Sequence, residues 1–418
     1  MSLIKTSLLN GIAVIVRMAT GIILNKVLAV YVGPGGYAAI GQLQNVSAMV
    51  TSFASGAINT GVTKFTAEHF DDTERRNSLW RTAGTITVIG SMLASVLLLV
   101  FSAPLGNLLF PGALYEESLK WLAACLVLIT LNAYILSILS GLKEVRRYVK
   151  ANIASSIFGL VISGGLALQM GLRGALIALS LGQAFAFLTT VYFCRGLDWF
   201  KPKLLFGKVD AAVARNLAKF VAMALTSAAA VPLTQMLIRS HLVISYSPAN
   251  AGLWDALNKI SGIYLALITT TLSLYYLPRI SEIRDAEVLR AEIWSGFRLI
   301  FPVTSILAIS LFFLRDPLVR LLFSPEFQGV TKLMGWQLVG DVIKVVSWLL
   351  GYVLIGRGMM LPYIVTEILF SITLYGLTIY ATQLFGFPGV SVAYAVNYTI
   401  YLIAMYWLVL VRQKNRFV

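Results

Sequence analysis

Apolar stretches of about twenty residues recur along this chain, separated by short gaps rich in lysine and arginine. A helix of about 20 residues crosses the ~30 Å hydrocarbon core of a bilayer. In that core each backbone N–H and C=O must be paired within its own segment or in a closed barrel, so apolar runs of this length are helices. Twelve spans are expected, at residues 8–31, 38–65, 80–103, 119–141, 151–170, 174–195, 216–239, 253–278, 297–314, 332–356, 361–383 and 388–411. The composition agrees: of 418 residues, 58% are hydrophobic and only 12% charged, too little polar surface for a water-soluble domain.

The net charge of +15 does not point to nucleic acid. The basic residues sit in the gaps, which is the pattern of membrane topology. With the N-terminus inside, inner segments hold twenty-two lysines and arginines, among them the Lys143–Lys150 turn and the Arg195–Lys219 gap, and outer gaps hold six. Both termini are therefore expected in the cytoplasm. "MSLIKTSLLNG" lacks a cleavage pattern and reads as the start of the first span, not a signal peptide. Cys125 and Cys194 lie in separate apolar runs, and His69 and His241 in separate loops. No disulfide, metal site or cofactor is expected.

"PLGNLLF" (104–110) follows the third span, and "PLVRLLF" (317–323) follows the ninth, 213 residues later. The most polar long gap lies between the sixth and seventh spans. Together these suggest two parallel six-helix lobes, 1–195 and 216–418, joined by a cytoplasmic linker, 196–215. Transporters built from such repeats bind substrate between them and rock to alternate access. The expected fold is all-α, with 12 transmembrane helices in two six-helix lobes around a central cavity.

Eight charges fall inside the spans: Arg17, Lys26, Lys64, Lys259, Lys344, Asp255, Asp341 and Glu367. Each costs about 2.5–3.5 kcal/mol at the bilayer centre on insertion scales, so each must pair, snorkel or face water. Asp255 and Lys259 are helical neighbours, as are Asp341 and Lys344. These pairs either neutralise each other or serve ion coupling. Glu367 is a protonation site or the partner of a cation on another helix. Lys64 borders a polar stripe with Gln42, Asn45 and Asn59, and either joins a cavity or snorkels to headgroups. Tyr394, Asn397 and Tyr398 share a face of the last span, suited to packing or to sugar contact.

Arg17 sits near the middle of the first span, which has no acidic residue. Thr6, Asn10, Thr20 and Gly21 lie on its side. Lys26, nine residues on, points about 180° away on a straight helix. It pairs elsewhere, reaches the outer headgroups, or joins Arg17 after a bend at Gly21. The spans hold five cations against three anions, and a water-filled cavity with that excess attracts an anion. Arginine and lysine are the usual partners of phosphate. The residues thus describe a transporter with a cationic cavity and a phosphorylated substrate.

"WQLVGDVIKV" (336–345), with "MSLIK", "VGPGG" (32–36), "GVTKF" (61–65) and "YYLPRIS" (275–281), resembles the Wzx-type flippases of O-antigen and enterobacterial common antigen synthesis. The resemblance runs over essentially the whole chain. It implies the multidrug/oligosaccharidyl-lipid/polysaccharide exporter fold. It implies movement of an undecaprenyl-diphosphate-linked oligosaccharide from the cytoplasmic to the periplasmic leaflet, with glycan polymerase machinery as a further partner. It also implies that cavity cations hold the diphosphate, here Arg17, Lys26 and Lys64, with Lys259 a weaker match beside Asp255. Gln42, Asn45, Asn59, Tyr394, Asn397 and Tyr398 are then candidates to touch glycan. No covalent step is required, so no enzyme is expected. Three readings compete: a multidrug cation antiporter of the same superfamily, a polyprenyl-sugar polymerase or ligase, and an uncoupled scramblase or scaffold. The cation-only first span argues against the antiporter. The short outer gaps, with no catalytic set, argue against the enzyme.

Overall fold

The structure, a computed structural model, describes residues 3–56, 58–109, 113–272, 276, 279–280, 283 and 285–411. Arg284, Arg412, Lys414 and Arg416 of the inner basic set lie outside the described residues, as do the side chains of Thr6 and Asn10. The described residues form helices and turns, with no strand among them. By their own packing, Met1–Pro232 and Leu233–Val418 form two compact units.

The first unit opens with α1 (Leu3–Ala54), which contains the first expected span and most of the second. Its helical dihedrals break at Gly33 (φ 67°, ψ 178°), a region open essentially to glycine alone. The Tyr37 hydroxyl donates to Asn25 Oδ1 at 3.1 Å. Twelve residues of straight helix would separate those groups by ~18 Å, so the chain doubles back at Gly33–Pro34. The sixth helix repeats the device: α6 (Val145–Cys194) breaks at Gly171 (φ 57°), and Ser155 Oγ meets Thr189 Oγ1 at 2.7 Å. Between them lie α2 (Asn59–Glu68), α3 (Thr73–Val100), α4 (Ser102–Leu109) and α5 (Ala113–Gly141).

The second expected span is interrupted. α1 ends at Ala54, a turn carries Gly56 at φ 60°, and α2 restarts at Asn59. Gly90 of α3 lacks the Cβ that would collide with the Ala54 carbonyl, so the end of α1 docks closely there. The stripe from Gln42 to Asn59 is thus not one helical face.

Residues 195–210 belong to the core of this unit. The one-turn helix α7 (Pro202–Leu205) lies against α3 and α5. Leu205 is buried with Trp80 and Tyr134, and Trp199, Phe200 and Phe206 pack around them. The Tyr134 hydroxyl donates to the carbonyls of Trp80 (2.7 Å) and Leu205 (3.2 Å). Gly84 admits the Leu205 carbonyl where any side chain would clash. The next helix, α8 (Ala211–Ser245), contains the boundary between the units at Pro232.

The second unit continues through α9 (Pro248–Thr271), α10 (Ala286–Phe313) and α11 (Arg315–Leu322). After a 3-10 stretch, Pro325–Lys332, come α12 (Met334–Gly356), α13 (Met360–Phe385) and α14 (Gly389–Tyr406). Each of the twelve expected spans falls at least in part on a described helix: α6 supplies two, α1 supplies the first and most of the second, and residues 273–275 and 277–278 of the eighth lie outside the described residues. Among the described residues, eight helices are long and apolar enough to cross a membrane. Their outward faces are apolar: Ile89, Leu93, Val96 and Val100 on α3, and Leu299, Phe301, Ile306 and Phe313 on α10, are all exposed. Such faces suit lipid, not water. The chain is an all-α polytopic membrane protein.

The two heptapeptides lie in matching places. α4 and α11 are both eight-residue helices with proline at the third position, each following a 28-residue helix. Asp72 and Asp285, also 213 apart, cap those longer helices by accepting backbone N–H groups.

Candidate functional site

In the first unit, Arg17 lines a cavity of about 360 Å³ with Val14, Leu139, Ser140, Val145, Tyr148 and Asn152. Its guanidinium is exposed and has no hydrogen-bond or ion-pair partner among the described residues. Thr20 is spent on its own helix, donating to the carbonyls of Val16 and Arg17. The lining residues come from the end of α5 and the first turns of α6. Arg17 therefore reaches the level of the α5–α6 turn, where the sequence reading expected mid-membrane depth. The physical reason is length: residues 3–32 make a helix of ~45 Å, so its midpoint need not be that of the ~30 Å core.

The helix stays regular at Gly21; its break is at Gly33. No bend there swings Lys26 toward Arg17. Lys26 is half-buried and Lys64 is exposed, with Nζ 5.3 Å from the Phe65 ring centroid. Gln42 is fully buried and its amide donates to the Leu109 carbonyl at 3.4 Å. Asn45 Nδ2 and Asn59 Oδ1 are buried atoms without a hydrogen-bond partner. These two retain polar capacity that packing has not used.

In the second unit the charge pairing differs from the helical-neighbour expectation. Asp255 is gripped by Arg239 of α8, with Nε to Oδ2 and Nη2 to Oδ1 both at 2.6 Å. Both side chains are buried, and the guanidinium lies 5.8 Å from the Trp254 ring centroid. The sequence reading placed Arg239 in an outer gap. α8 instead runs on to Ser245, and the carboxylate opposite compensates the buried cation. His241 likewise lies in α8 rather than a loop, with Nε2 2.9 Å from Thr382 Oγ1. Lys259 is half-buried and has no ion-pair partner among the described residues.

Asp341 is fully buried and takes three hydroxyl donors, Ser261 (2.6 Å), Tyr264 (2.8 Å) and Tyr394 (2.8 Å). Lys344 does not touch it directly. Its ammonium donates to the Tyr394 hydroxyl at 3.1 Å and sits over the rings of Trp348, Tyr394 and Tyr398 at 5.2, 5.4 and 4.9 Å. Tyr394 thus links Lys344 to Asp341. Gly340 makes this possible, since a Cβ there would strike the Tyr394 ring. Asn397 is buried and accepts from Thr373 at 2.7 Å. Tyr398 stacks edge-on between Tyr394 and Tyr401. Glu367 is half-buried on α13; it makes no direct ion pair among the described residues but interacts electrostatically with Lys344 of α12.

Reasoning along the chain missed Arg239, Ser261 and Tyr264. Arg239 sat at the expected end of an apolar run, and the two hydroxyl residues are ordinary in membrane helices; only their position opposite a carboxylate gives them a role. Among the described residues no group of three or more His, Cys, Asp or Glu could hold a metal, and both cysteines are buried free thiols.

Known proteins agree with this architecture. The lipid III flippase of Escherichia coli K12 is 27% identical over 406 residues, 96% of each chain. An inward-facing multidrug resistance MATE-family transporter of the MOP superfamily matches with TM-score 0.80 at 14% identity, over 96% of this chain and 98% of that one. Lipid II flippase MurJ, in an inward closed conformation, matches with TM-score 0.74 at 15% identity, over 97% of this chain and 87% of that one. At such identities the superpositions establish the fold alone, the one these solved structures share. The family described as polysaccharide biosynthesis protein matches residues 27–332, well over half of the sequence. This chain belongs to that polysaccharide biosynthesis protein family.

Proposed function

We propose that this chain is a flippase. It moves an undecaprenyl-diphosphate-linked oligosaccharide from the cytoplasmic to the periplasmic leaflet by alternating access. The observation that carries the reading is the Arg17 guanidinium, which faces a cavity in an apolar protein and has no partner among the described residues. A cavity guanidinium that no protein group occupies keeps its fork of donors available to an anionic ligand. The full-length relationship to a lipid III flippase supports a lipid-linked saccharide as the source of that anion.

In this mechanism the diphosphate exchanges its water for the planar fork of Arg17, helped by Lys64; Lys26, on the opposite face of the same helix, is a separate candidate contact. Lys259 is a further candidate, because Arg239 rather than Lys259 occupies the Asp255 carboxylate. The polyprenyl tail stays in lipid. The lobes, 1–195 and 216–418 with the linker 196–215 between them, alternate access with both termini in the cytoplasm of an inner membrane. Asp341, Lys344 and Glu367 serve ion coupling or charge balance. Gln42, Asn45, Asn59, Tyr394, Asn397 and Tyr398 are candidate glycan contacts, and glycan polymerase machinery is a candidate partner.

The test is leaflet-specific accessibility of undecaprenyl-diphosphate glycans in proteoliposomes. Arg17→Ala is expected to slow transfer about tenfold or more, the scale of a charged hydrogen bond. Arg17→Lys keeps the charge, loses the fork, and is expected to fall in between. A folded, inserted Arg17→Ala protein with full transfer overturns the role of Arg17.

A further inference from the structure

The two halves of α6 each carry an exposed stripe that ends in cations. On the first half, Arg146, Lys150, Ile157 and Val161 fall within about 60° of one another around the helix axis. All four are exposed. Tyr148 and Asn152, which line the Arg17 cavity, project from the opposite side of the same turns. On the second half, Phe185, Leu188 and Tyr192 form another exposed stripe, which runs into Arg195 at the C-cap.

These ends lie at one depth. Ser155 Oγ meets Thr189 Oγ1 at 2.7 Å, so the two halves lie side by side at that level. Lys150 precedes this contact and Arg195 follows it by a similar length of helix. At about 1.5 Å per residue both stand ~7–9 Å beyond it, in the same direction. The α5–α6 turn adds Lys143, and the segment after α6 adds Lys201 and Lys203, all exposed. Turn and segment share one end of the unit, since Leu142, Leu197 and Phe200 pack against the same buried cluster.

None of these six cations has a side-chain hydrogen bond or ion pair among the described residues. Of the two carboxylates in the same stretches, Glu144 is held by Arg147 at 3.0 Å, which leaves Asp198. Lys143 also stands at φ 57°, in the left-handed region that favours glycine. Exposed apolar stripes face lipid, and tyrosine and basic residues at the end of such a stripe mark the headgroup level. Unpaired cations at that level are complementary to the phosphate of an anionic lipid. A soluble acidic partner would not call for leucine and tyrosine on the same stripe.

We infer that Lys150 and Arg195 hold the headgroup phosphate of an anionic bilayer phospholipid between them, with Lys143 and Arg146 beside it. The ligand is of the phosphatidylglycerol class. It is a bound component of the membrane and not the transported molecule, because the stripe faces away from the Arg17 cavity. The site stands apart from the flippase reading and from the assigned orientation.

The test is native mass spectrometry of the full-length protein in detergent, titrated with phosphatidylglycerol or with zwitterionic phosphatidylcholine. Phosphatidylglycerol is expected to bind about twentyfold more tightly, at about fivefold for each of two cations. Lys150→Gln/Arg195→Gln is expected to remove that preference and to leave phosphatidylcholine within twofold. Lys150→Arg/Arg195→Lys keeps both charges and is expected to keep the preference. Lys143→Gly relieves the left-handed turn, so it is expected to unfold no earlier than wild type while weakening phosphatidylglycerol about fivefold. Inorganic phosphate at the lipid's concentration is expected to displace none of it. Bare undecaprenyl diphosphate is expected to bind the Gln double variant as it binds wild type. Equal binding of the two phospholipids, an unchanged preference in the Gln double variant, or a lost preference in the charge-keeping swap overturns the site. Displacement by inorganic phosphate would make it a free-anion site, and a matching loss of undecaprenyl diphosphate would make it a carrier site; either result overturns the assignment to a bilayer lipid.

Discussion

Asp255 and Asp341 are two buried carboxylates satisfied by different chemistry. Asp255 has a planar cation matched to both its oxygens, and Asp341 has three hydroxyls. Removing one member of a buried ion pair strands the other, at about 3–5 kcal/mol. Arg239→Ala is therefore expected to lower the thermal unfolding temperature in detergent sharply. Arg239→Met/Asp255→Leu, which removes both charges, is expected to unfold closer to wild type. Tyr394→Phe tests the second arrangement, since its hydroxyl serves Asp341 and Lys344 at once. The loss should be about 1–3 kcal/mol by the same unfolding measurement. These partnerships were only half legible along the chain. Asp341 and Lys344 drew notice as charges in an apolar run, but Tyr394 as their link could not be read, because it lies fifty residues from Lys344 on another helix.

At the scale of elements, glycine marks the places where helices reverse or touch. Gly33 and Gly171 adopt dihedrals other residues avoid, and "VGPGG" was visible as a turn for that reason. Gly84 acts differently: it stays helical, and its value is the room it leaves for the Leu205 carbonyl. Gly84→Ala is expected to push 195–210 off α3 and expose it to protease, with cleavage mapped by mass spectrometry. Unchanged protection would show that α3 yields without losing the contact. That docking was not legible in sequence. The segment is polar enough to read as a tether, and its anchors Trp199, Leu205 and Phe206 gain meaning only beside Trp80 and Tyr134.

For the whole molecule, the orientation proposed above rests on where the cations lie. In a Cys125→Ser/Cys194→Ser background, Lys208→Cys is expected to react with an impermeant thiol reagent only from the cytoplasmic side. Glu326→Cys is expected to react only from the other side. Both positions are exposed, and the reversed pattern overturns the assigned topology. The long apolar runs, the cations among them and the echo between 104–110 and 317–323 were determined by the sequence alone. Hydropathy and charge accumulate along a chain, and a bilayer converts each long apolar run into a helix irrespective of its neighbours. Tertiary structure alone decided that Arg239 holds Asp255, that Tyr394 bridges Asp341 and Lys344, and that Arg17 opens onto Ser140, Tyr148 and Asn152. Those facts depend on which helix faces meet, and helical periodicity shows what a face carries but not what lies opposite it.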